Sequence, residues 1–196
     1  MLLKQLSDED KRTFLCLAEL LSLSDKPVLW GGKRRETIAD NAKSASVTIQ
    51  RDEHETRMME DLASIAADKG GGSGILWAPV GMPLGRADIE SELVARIKPL
   101  RLHEEDDPAV RVRVASEVLR EILKDKKADI PSAPKLMLFE LMMLALADGS
   151  ISNIQWQLLD EFRHHYQLED YIFNDLLERA RTTYVETQKT LAIILE

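Results

Sequence analysis

Two aspartates each close an apolar run in this chain. Asp25 ends F-L-C-L-A-E-L-L-S-L-S-D, and Asp148 ends M-L-F-E-L-M-M-L-A-L-A-D. Laid over one another without a gap, the runs coincide at Leu15 and Leu138, Leu21 and Leu144, Leu23 and Leu146, and at the aspartates. Carboxylate oxygens are the hard ligands that Ca²⁺, Mg²⁺ and Mn²⁺ prefer. If the runs are equivalent helices of two packed halves, Asp25 or Asp148 can collect a divalent cation with help from Glu19 or Glu140. The competing reading of Asp148 is local. An Asp just before Gly at a helix end is a turn residue, its carboxylate accepting from nearby backbone N–H groups.

Other chemistry is sparse. The histidines are His54, His103, His164 and His165, and no H-E-x-x-H occurs. His164 and His165 are adjacent, so on a helix they point to different sides and cannot grip one ion together. An EF-hand starting at Asp148 fails, because its sixth position is Asn153 instead of Gly and its twelfth is Leu159 instead of Glu. There is no phosphate-binding Gly-Lys-Ser/Thr loop, no G-x-S-x-G and no dinucleotide fingerprint. A di-iron bundle asks for E-x-x-H on two helices, and the chain does not supply the pair. The residues favour a protein that binds over one that catalyses, with no cofactor required.

The elements that must position these residues read as helices. Of the 196 residues, 44% are hydrophobic and only 5% aromatic, the apolar weight falling on good helix formers. Ser7 opens the first helix, with Asp8, Glu9 and Asp10 in its first turn, and apolar spacing runs to about Asp25. Pro27 stops it and Trp30-Gly31-Gly32 reads as a turn. Helical spacing resumes from Ile49 to Ala67, and again from Ala87 to Ile97. Asp107 and Pro108 form the entry to a helix reaching Lys127. Leu136 to Ala147 is apolar nearly all round, so it should be the central helix. Further helices are expected from Asn153 to Tyr166 and from Glu169 to Leu195. No strand-length alternation is evident. The expected fold is an all-α helical bundle, a single domain over residues 1–196. Its halves are 1–68 and 108–196, joined by a Gly/Pro-rich connection at 69–107.

A formal charge of −8 argues against nucleic acid or an anionic membrane surface as the main partner. The basic clusters at Lys33 to Arg35 and Arg111 to Arg113 lack interleaved aromatics for stacking on bases. One cysteine, Cys16, excludes an intrachain disulfide, and its apolar setting predicts a buried, inert thiol. The first residues turn acidic too early for a signal peptide, and no apolar run has the length of a membrane span. The expected compartment is the cytoplasm.

The least regular stretch is K-G-G-G-S-G followed by I-L-W-A-P-V-G-M-P-L. The glycines at 70–74 read as a flexible linker. The apolar run at 75–84 has two readings, a loop packed over the core or a segment that docks a protein partner through Trp77, Pro79, Val80, Met82 and Pro83.

Over residues 134–180, P-K-L-M-L-F-E-L-M-M-L-A-L-A-D-G-S-I-S and Q-W-Q-L-L-D-E-F-R-H-H-Y-Q-L resemble the TerB-like superfamily. This group includes tellurite-resistance proteins and the N-terminal domain of the DjlA co-chaperone. Its mark is an apolar helix ending in Ala-Asp-Gly, a turn carrying Ile/Val-Ser/Thr, and a second helix with acids in its first turn. The first half echoes the pattern only from Leu17 to Asp25, and residues 69–107 match nothing in it. The resemblance implies two pseudo-symmetric helical halves and a non-enzymatic role in stress response or defence. It also implies divalent-cation binding at the acidic positions. This chain departs from the pattern where Asn153, Ile154, Gln155 and Trp156 stand in place of glutamates and Lys26 in place of Gly.

Overall fold

The computed structural model describes residues 2–24, 28–30, 47–49, 57, 59–62, 64 and 108–195. A short 3-10 turn, Leu2–Gln5, leads into α1, Asp8–Leu23. Two short strands follow, β1 at Val28–Trp30 and β2 at Val47–Ile49, and then helical residues between 57 and 64. The remaining helices are α2 at Pro108–Leu123, α3 at Ala133–Ala145, α4 at Asn153–His165 and α5 at Asp170–Leu195.

The described core is a helical bundle, as composition and periodicity require. The strands are the departure. They pair antiparallel in the register Val28 with Ile49, Leu29 with Thr48 and Trp30 with Val47. Trp30 is therefore extended rather than part of a turn, and Ile49 ends a strand rather than opening a helix. Three residues per strand are too few for a period of two to show, although Val, Thr, Ile and Trp are the types that suit a pleated ladder. Of the helix expected from Ile49 to Ala67, residues 57, 59–62 and 64 are described and helical, with Met59 and Leu62 buried.

Each helix end has a local cause. At the start of α1 the Ser7 hydroxyl accepts from the Asp10 N–H at 3.1 Å, and three acids face the dipole in the first turn. The α2 helix begins at Pro108 as expected but stops at Leu123, short of Lys127. Asp125 lies just beyond with φ 59°, a left-handed conformation that cannot continue a helix. The α3 helix starts early, with Pro134 in its first turn, where the missing N–H costs nothing.

The α3 helix packs against α1, α4, α5 and the 3-10 turn, which makes it the centre of the bundle. Met137, Leu138 and Met142 are fully enclosed there. The α1 helix also packs on α2, and α2 on α4. Thirteen of the sixteen residues of α1 are buried, Glu19, Ser22 and Cys16 among them, so this helix is enclosed around its circumference, beyond a single apolar stripe.

One end of the bundle gathers the start of α1, the α2–α3 loop and the α4–α5 turn. Lys126 Nζ meets Glu9 Oε1 at 2.7 Å, and His165 Nε2 lies 3.3 Å from the Lys126 carbonyl. The other end carries the α3–α4 turn, against which α5 packs through Tyr184.

Candidate functional site

The α3–α4 hairpin is the feature with the most complete local explanation. The last turn of α3 closes with the Leu146 N–H on the Met142 carbonyl at 3.0 Å. Gly149 then takes φ +89°, and its N–H reaches the Leu146 carbonyl at 2.8 Å. A side chain at this position would have room, since a Cβ would stand 3.6 Å from the Tyr184 hydroxyl, but the backbone conformation itself selects glycine. Ser152 is the N-cap of α4. Its hydroxyl accepts from the Gln155 N–H at 3.3 Å, and the Gln155 side chain accepts from the Ser152 N–H at 2.9 Å. This reciprocal pair is the capping box that S-N-I-Q spells. Ile151 and Trp156, flanking the cap, are half-buried against the core. Main-chain bonds hold the turn, and the exposed carboxylate of Asp148 takes no part in it.

The candidate ligand carboxylates occupy different environments. Glu19 on α1 has no exposed surface, and Glu140 on α3 is buried. Asp148 is exposed beyond the end of α3. Asp25 lies outside the described residues. Among the described residues no group of three or more His, Cys, Asp and Glu gathers to hold a metal ion, so Glu19, Glu140 and Asp148 are not brought together. Spacing explains part of this. Glu140 and Asp148 are eight positions apart, a rise of about 12 Å along a helix, while one ion draws its ligands to within about 2.6 Å of itself.

His164 and His165 turn to different neighbours. His164 Nδ1 is 3.3 Å from Asp160 Oδ2 on its own helix, while His165 reaches across to the α2–α3 loop and sets its ring edge on Tyr166. Sequence reasoning passed over one spacing. Glu161 and His164 form a single E-x-x-H on α4, but Arg120 Nε holds Glu161 at 3.1 Å and Asp160 holds His164. Arg163, between them, ties α4 to α5. It binds Asp160 at 2.9 Å, pairs with Asp170 and lies 5.9 Å over the Phe173 ring.

At the first end of the bundle, Asp10 is 4% exposed and its Oδ2 has no hydrogen-bond partner among the described residues. Tyr166, the C-cap of α4, faces this corner. Burial pushes its phenol up to about 12, and the charges of Asp10 and Glu9 add to the effect. Neither the capping Ser7 nor the composition hinted at this influence, which acts between residues far apart in the chain.

One narrow gap where α1, α2, α3 and α4 meet is lined only by leucines and Phe162, with no polar group to orient a ligand. The stripe Phe173, Leu177 and Ala180 seats α5 on the bundle, and Tyr184 is half-buried. From residue 185 to 195 every position is exposed, including Leu191 at 43%, Ile194 at 70% and Leu195 at 83%. The proposed docking residues Trp77, Pro79, Val80, Met82 and Pro83 lie outside the described residues, as does the helix expected at 87–97. Among the described residues no helix is long and apolar enough to cross a membrane. Compared with protein-family models, curated proteins and solved structures, the chain matches none.

Proposed function

We propose that this chain is a TerB-like helical module built from two pseudo-symmetric helical hairpins, which works by binding rather than by catalysis. In this reading it is a cytoplasmic adaptor or regulator in a stress response of the tellurite-resistance type or in a defence system. It engages a protein partner and takes a divalent cation weakly at its acidic positions. The observation that carries the reading is the hairpin at A-D-G-S-I-S, where the turn after a central apolar helix carries left-handed Gly149 and the next helix opens on the Ser152–Gln155 capping box. That is the stretch on which the family resemblance rests. Isothermal titration of the full chain with Ca²⁺, Mg²⁺, Mn²⁺ and Zn²⁺ tests the cation part. Weak, saturable heat that falls in Asp148→Ala is expected, and no heat at millimolar ion would sink it.

A second reading is a protein–protein interaction scaffold that uses the apolar run at 75–84 and binds no metal. An apolar run of that length, broken by Pro79 and Pro83 and carrying Trp77, favours it. Deleting residues 70–85 separates the cases. A docking segment gives an unchanged Tm with lost partner binding, whereas a loop packed on the core gives a lowered Tm.

A further inference from the structure

We draw no further inference here: the strongest candidate, the exposed apolar face of the last turns of α5 formed by Leu191, Ile194 and Leu195, is an unpartnered helix face, and nothing in the structure shows what covers it.

Discussion

Tyr166 shows how a residue without a motif acquires a distinctive chemistry from its surroundings. Its phenol is half-buried and feels the charges of Asp10 and Glu9, so ionising it would place an anion where water solvates it less well and two carboxylates oppose it. In the unfolded chain the phenol titrates near 10, and in the folded chain at about 12. The stability it contributes is therefore complete below pH 10 and is lost as the pH rises from 10 toward 12, because the unfolded state releases its proton first. An ultraviolet phenolate titration should find one of the three tyrosines ionising about two units late, and Tyr166→Phe should remove that component. A titration that shows no such late component would overturn the assignment. Gly149 is the opposite case, a residue whose role can be read from its neighbours in the chain. Gly149→Ala forces a side chain into left-handed backbone and should cost about 1–2 kcal/mol in urea unfolding. Ser152→Ala removes an N-cap and should cost about 1 kcal/mol.

At the scale of elements, the helices were legible wherever apolar spacing extended over several turns. The α4 helix matches its expected span within one residue, because Ser152, Gln155 and a following apolar stripe all specify it. The end of α2 was misplaced because Asp125 can take a left-handed turn or continue a helix, and its composition favours neither. The strands were missed because each is three residues long. The α5 helix divides into two energetic halves. Leu177 is buried on α3, so Leu177→Ala should cost about 2–5 kcal/mol, whereas Leu191→Ala on the exposed half should stay within about 0.5 kcal/mol. Chemical denaturation of the two variants side by side checks this, and equal losses would mean that the second half of α5 is covered.

For the whole molecule, burial and charge placement decide what the carboxylates can do. The apparent equivalence of Asp25 and Asp148 suggested a shared ligand set, yet the bundle encloses Glu19 and Glu140 and leaves Asp148 in solvent. Helical periodicity places a residue on a face of its own helix, but two helices can slide and rotate against each other without altering either pattern. The amino-acid sequence by itself determined the helical class, the central position of α3, the glycine turn at 149 and the capping box at 152. Those features depend on interactions within a few residues of chain or on one helix's own apolar content. Only the tertiary structure decided which carboxylates are buried, that the Tyr166 phenol feels the charge of Asp10, and that the second half of α5 stands exposed. Each of these depends on which distant segments pack together, and no local preference carries that information.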